Sequence, residues 1–128
     1  MKFNSLIPEL SVTNIDNSKR FYLDIGFKIV YERKDDKFCF LELEQNQIMI
    51  EQINNNWNTG SLEYPFGRGI NISMTVKDIE SFYEKIKEKN IILFKEIQIN
   101  KYQVDNIIYE DKEFLIQDPD GYLLRFNN

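Results

Sequence analysis

The sequence contains no histidine. That removes the usual general base near neutral pH, the commonest metal ligand and every catalytic triad built on imidazole. Chemistry by carboxylate or tyrosine groups stays open, as do metal sites made of carboxylates alone. Cysteine is nearly absent too. Cys39 is the single one, so no disulfide can form within the chain. It sits in the strand-like run Phe38-Cys39-Phe40-Leu41, where a buried, inert thiol is expected and a nucleophile is not. No apolar run approaches the roughly 18 residues of a membrane span, and the stretch from Met1 to Leu6 lacks the apolar core of a secretion signal. The expectation is a cytoplasmic protein with no membrane partner. Basic residues are in the minority, 16 against 21 acidic ones, for a net charge of −5. This argues against a nucleic-acid partner, which needs a basic face, and is compatible with a cationic ligand.

What is present is an ordinary globular composition, long enough at 128 residues to bury a core and rich in Phe and Tyr. Leu6 to Val12 alternates apolar and polar residues, the pattern of a half-buried strand. Asn14 or Asp16 can cap a helix over 15–24, and Gly26 stops it. Strands are expected over 27–32, 38–43 and 47–53. The polar and aromatic stretch 54–68, with Trp57, Tyr64 and Phe66, is the longest loop and the expected linker. The pattern then restarts. Ile70 to Val76 alternates, Asp78 can cap a helix over 79–89, and Asn90 ends it. Strands follow near 92–96, 113–117 and 122–126. Between them, 97–111 reads poorly, with one strand placed near 106–109.

The two halves repeat. Val12-Thr13-Asn14-Ile15-Asp16 is echoed by Val76-Lys77-Asp78-Ile79-Glu80 at an offset of 64, and Gly26 and Asn90 fall at the same offset. A β-α-β-β-β unit used twice fits the whole chain, as modules over about 1–56 and 68–128 within one domain. The end of the second unit carries a turn with its own mechanism. In Asp118-Pro119-Asp120-Gly121, Pro119 presets φ, Asp118 can accept from the backbone ahead of it, and Gly121 can take positive φ. Apolar alternating runs flank it, as in a β-hairpin.

Three pieces, in order and at their spacing, resemble the glyoxalase, bleomycin-resistance and extradiol-dioxygenase superfamily. They are Leu10-Ser11-Val12-Thr13-Asn14 leading to Phe21-Tyr22 and Ile25-Gly26-Phe27; Val76-Lys77-Asp78-Ile79; and Asp118-Pro119-Asp120-Gly121-Tyr122. Glu113-Phe114, shortly before that turn, looks most like the bleomycin-resistance branch. The resemblance implies an α+β fold of two βαβββ modules, paired curved sheets forming a cleft, and a homodimer. It also implies four metal-ligand positions, which fall here on Ile7, Glu51, Asn71 and Arg125. Only Glu51 is a normal ligand, so the expectation is no metal and no cofactor.

The alternation assigns to the cleft face Ile7, Glu9, Ser11, Phe38, Phe40, Met49, Glu51, Asn71, Ser73, Leu123 and Arg125, away from Leu10 and Val12, with Trp57, Tyr64 and Phe66 closing it from the loop, or Trp57 serving as a dimer contact. Phe38 and Phe40 turn toward the helices instead if the register slips by one residue. Glu51 and Arg125 either face a ligand separately or form an ion pair. The reading is a metal-free small-molecule binding protein that sequesters a cationic, aromatic ligand. If Glu51 and Arg125 pair, an anionic or zwitterionic ligand meeting Arg125 is equally expected. The alternatives in function are a glyoxalase-like lyase or isomerase with an atypical site, another enzyme of the same fold working through carboxylate and Tyr groups without metal, and a cleft that serves regulation or a partner.

Overall fold

A computed structural model describes residues 2–128. The element order is β1 (Glu9–Val12), α1 (Ile15–Asp24), β2 (Lys28–Arg33), β3 (Phe38–Leu43), β4 (Asn46–Gln52), β5 (Asn71–Thr75), α2 (Ile79–Glu88), β6 (Leu93–Val104), β7 (Ile107–Gln117) and β8 (Leu123–Asn127). The strands form two mixed sheets of one topology, in orders β1-β4-β3-β2 and β5-β8-β7-β6. In each, the first strand of the module pairs parallel with the last, and the others pair antiparallel. The sequence repeat is therefore a repeat of βαβββ modules.

The helices begin where their caps dictate. The Asn14 side chain accepts from Asn17 N at 3.0 Å, and that of Asp78 accepts from Ser81 N at 3.1 Å. Both end on a residue of positive φ, Gly26 at +115° and Asn90 at +58°. The chain packs as two compact units. The first comprises Met1–Phe66 with Asp118–Gly121; the second comprises Gly67–Gln117 with Tyr122–Asn128. In the first, Leu10, Val12, Cys39, Leu41, Ile48 and Ile50 are buried on the sheet face that takes Tyr22 of α1. In the second, Phe82 and Tyr83 of α2 pack their rings against Phe114 of β7, and Phe82 also meets Phe126 of β8. Each such fully buried side chain contributes roughly 1.5–3 kcal/mol.

Two expectations need correction. The first strand starts at Glu9 and not at Leu6, and Leu6 is exposed. The larger difference is the stretch 97–111. It continues β6 and β7 as one long hairpin, turning at Asp105-Asn106 with Asp105 at φ 57°. The β7–β8 pairing stops at Glu113 with Asn127, so the hairpin runs on past its third strand. Neither face there has a core to cover, and the alternation that marks a half-buried strand is lost.

The Asp118 turn is built as its residues suggest. Asp118 Oδ1 accepts from Asp120 N at 3.0 Å, and the Asp118 carbonyl accepts from Gly121 N at 2.9 Å. Within the first unit this turn is held from outside itself. Tyr22 Oη donates to Asp118 Oδ2 at 2.7 Å, while Thr13 gives its backbone N–H to Asp120 Oδ2 at 3.1 Å and its hydroxyl to Asp120 Oδ1 at 2.5 Å. Phe66 N donates to the Asp120 carbonyl at 2.8 Å.

Cys39 lies fully buried on the α1 side of its strand. Burial pushes its thiol up to about 11, with a smaller push from Glu32. The thiolate is the reactive form, so the folded protein should resist iodoacetamide at pH 8 and become labelled on unfolding. Mass spectrometry of labelled protein with and without denaturant checks this; equal labelling in both would contradict it.

Candidate functional site

Strand register settles which side chains share a face. In the first sheet, Glu9 lies opposite Met49, Ser11 opposite Glu51, Phe38 opposite Glu51 and Phe40 opposite Met49. All of these project from the face opposite to the one that buries Cys39 and Leu41. Across the other edge, Tyr31 lies opposite Phe40 and Arg33 opposite Phe38. The result is an aromatic cluster. Tyr31 stacks on Phe40 at 5.3 Å between centroids, and Phe3 meets Phe40 edge-on at 5.2 Å. The Arg33 guanidinium lies 3.9 Å above the Phe38 ring, a cation–π contact. Phe38 and Phe40 are consequently buried, beneath a cover that is itself half exposed.

Beside the rings stand two carboxylates. Glu51 Oε1 accepts from Asn54 Nδ2 at 3.0 Å and from Trp57 Nε1 at 3.1 Å. Trp57 is thus tied to the sheet by its indole N–H while its ring stays 62% exposed. Glu9 and Glu51 are diagonal neighbours across the parallel β1–β4 pair. Burial, and then repulsion from Glu51, hold the Glu9 carboxyl above its ordinary value, with Arg33 pulling the other way.

The corresponding face of the second sheet is polar. Asn71, Ser73 and Thr75 of β5 lie opposite Leu123, Arg125 and Asn127 of β8. Asn127 Nδ2 donates to Ser73 Oγ, and the Thr75 hydroxyl donates to Asn127 Oδ1, each at 2.8 Å. Arg125 Nε donates to Glu113 Oε2 at 2.6 Å, and Asn100 Nδ2 donates to Glu113 Oε1 at 2.7 Å. Burial alone would raise the Glu113 carboxyl, but these hydrogen bonds outweigh it and hold it below its ordinary value. The charge of Arg125 is therefore met by Glu113 on its own sheet. Glu51, for its part, accepts from the neutral donors Asn54 and Trp57 in the first unit.

Of the expected site residues, Phe38, Phe40, Met49 and Glu51 share one face of the first sheet, with Trp57 tied to it through Glu51; Asn71, Ser73 and Arg125 share one face of the second. Sequence reasoning passed over Phe3, Tyr31 and Arg33, which cover the Phe pair, and Glu113 and Asn100, which hold Arg125. Pairing 27–32 with 38–43 as a hairpin could have put Tyr31 on the Phe38 face, but Arg33 falls one residue past the expected strand and the irregularity between Ile29 and Tyr31 is not visible in the sequence. Phe3 lies in irregular chain and gives no periodic signal.

A family model of the Glyoxalase/Bleomycin resistance protein/Dioxygenase superfamily matches residues 3–126. The chain belongs to this superfamily. Among curated proteins nothing matches. Among solved structures, a superfamily member from Vibrio splendidus 12B01 is 34% identical over 93% of this chain and 92% of its own, with a TM-score of 0.44. TioX from Micromonospora sp. ML1 is 12% identical, covering 98% of each chain, with a TM-score of 0.77. A bleomycin-binding protein solved in complex with bleomycin is 19% identical, again covering 98% of each, with a TM-score of 0.67. The last two share the fold of the present chain.

The superfamily's metal positions do not suit a metal here. Ile7 has no donor atom, and Asn71 is a poor ligand for a borderline cation. Glu51 Oε1 is engaged by two N–H donors, and Arg125 brings a positive charge. Among the described residues, no three acidic or cysteine side chains gather closely enough to hold a metal ion. No described helix is long and apolar enough to cross a membrane.

Proposed function

We propose that this superfamily member is a small-molecule binding protein of the bleomycin-resistance type, working without a metal, that sequesters a cationic aromatic or amphipathic ligand on the first sheet. The observation that carries this is the union, on one face, of Glu9 and Glu51 with the Phe3, Tyr31, Phe38 and Phe40 cluster. The Arg33 guanidinium over Phe38 supports a planar cation as the kind of group these rings accept. Stacking is worth about 1 kcal/mol per ring contact beyond buried area, and a charge-assisted hydrogen bond to Glu51 about 1.5–3 kcal/mol. The likeness in fold to a bleomycin-binding protein supports a small molecule as the ligand class. The ligand positions that retain only one usable donor weigh against the lyase reading.

Ligands are found by screening organic cations for a thermal shift, since a molecule that binds only the folded state raises apparent stability. For a hit, Glu51→Gln is expected to weaken binding about tenfold. Trp57 is the sole tryptophan and is bonded to Glu51, so its emission should move with saturation. Binding should also weaken as pH falls toward the carboxylate range. Glu9, whose carboxyl titrates above its usual value, loses its charge before ordinary carboxylates do. Ligands that are anions, or a Glu51→Gln variant that binds cations as well as the parent, would sink this reading.

The proposal includes a homodimer. Tyr102, Val104, Ile107 and Tyr109 stand exposed on one face of the long hairpin, with Tyr102 and Tyr109 stacked at 5.5 Å. Such a patch is usually covered in solution. Light scattering at micromolar concentration should give twice the 15.4 kDa chain mass; the single-chain mass would remove the dimer.

A further inference from the structure

The two modules treat the space between helix and edge strand differently. In the first, Lys19 on α1 reaches Glu32 on β2 at 3.0 Å and bridges the two elements. The offset of 64 puts Tyr83 in the place of Lys19 and Glu96 in that of Glu32. β6 also carries a register irregularity between Lys95 and Gln98 that has no counterpart in β2, whose one irregularity matches the other in β6. Ile97, next to Glu96, lines the space as a result. What was an ion-paired seam in one module is an open groove in the other.

The groove has a volume of about 820 Å³, within the range of small-molecule sites. Its apolar walls are Tyr83, Ile97 and Ile99, and its charged lining is Asp78, Glu80, Glu84 and Lys112. Three carboxylates against one ammonium leave it negative. Lys112 is ion-paired to Glu80, Asp78 caps α2, and Glu84 meets Lys87 only at 3.9 Å. A second feature is independent of this charge. Tyr83 is only 8% exposed, yet it lines the groove, and its hydroxyl has no hydrogen-bond partner among the described residues. The hydroxyl is not sealed inside the fold, since among the described residues the one buried side-chain polar atom without a partner is Ser18 Oγ, and it is therefore open to a group that enters the groove.

We propose that this groove, on the helix side of the second sheet, is a separate binding site for an amphipathic organic cation. The apolar part of the ligand lies on Ile97, Ile99 and the Tyr83 ring. Its ammonium group faces Glu84 and donates to the Tyr83 hydroxyl, occupying the place that Lys19 holds in the first module. The site does not depend on the first-sheet face, so either can fail alone.

The test is amide chemical-shift mapping of the full chain titrated with dansylcadaverine, a primary amine on an aromatic body. Saturable shifts are expected over Ser81–Glu84 and Ile97–Ile99. Ile99 is an exposed position, so Ile99→Lys can place a positive charge in the groove without disturbing the fold. It should weaken those shifts about tenfold, and Glu84→Gln should weaken them less. Dansylglycine, which carries the same fluorophore on a carboxylate, should leave these amides unmoved. The proposal is overturned if the groove amides do not shift, if Ile99→Lys leaves the titration unchanged, or if the anionic analogue binds equally well. Shifts confined to amides around Glu51 and Trp57 would support the first-sheet site and refute this one.

Discussion

Replacing Gly121 by alanine is expected to cost on the order of 3 kcal/mol of stability and to lower the melting temperature by roughly 10 °C. Two terms add. Gly121 has φ +94°, a conformation that a side chain rarely adopts. The new Cβ would also sit 2.6 Å from Pro65 Cβ and 2.7 Å from Pro65 Cα. The second of these is backbone, which cannot swing aside as a flexible side chain would. Gly26 provides the control. Its φ is +115°, but an added Cβ meets only Leu43 Cδ1, at 3.6 Å, so Gly26→Ala bears the conformational term alone. Thermal unfolding of the two variants should therefore separate them clearly. If they lose the same amount, the close approach to Pro65 is not what constrains Gly121.

Asp118→Ala should be nearly as damaging, at about 3 kcal/mol. It removes the acceptor of the Tyr22 hydroxyl and of Asp120 N together. Tyr22 is fully buried and Asp118 is 3% exposed, so the groups left behind lose hydrogen bonds that water cannot readily replace. Tyr22→Phe removes only the donor and should cost less, about 2 kcal/mol. In a double-mutant cycle by urea denaturation, the two losses should add to more than the double variant loses, since the pair shares one interaction. Strict additivity would mean that the 2.7 Å contact contributes nothing of its own.

Both of these residues were legible in the sequence as turn formers, because turn chemistry is local. The same holds for Asn14, Gly26, Asp78 and Asn90, which act within one helical turn of their own position. The division of Glu9, Met49 and Glu51 from Leu10, Ile48 and Ile50 was legible too, since period-2 alternation over a covered sheet states it directly. Pairings across strands were harder. Arg125 meets Glu113 only because β7 and β8 take one register, and Arg33 meets Phe38 across a hairpin whose partner strand carries an irregularity between Ile29 and Tyr31. The groove beside Tyr83 was hidden for the same reason, since an extra irregularity in β6 shifts which side chain lines it. The long hairpin was missed because, beyond Glu113, apolar residues such as Ile108 and Tyr109 occupy both faces without a core to sort them.

The turn at Asp118–Gly121 packs with the first unit although the chain reaches it almost last. Thr13 and Asp120 are separated by 107 positions, and Tyr22 and Asp118 by 96. Such closures raise contact order, and contacts of this span form late because the loop entropy must be overcome first. During synthesis, the first βαβββ module can make its sheet and helix once residue 66 has emerged. Its Tyr22 hydroxyl and Thr13 pair must then wait for more than fifty further residues to leave the ribosome. A fragment ending at Phe66 would lack these acceptors for Thr13 and Tyr22, so the module that comes first along the chain is completed only by residues that come almost last.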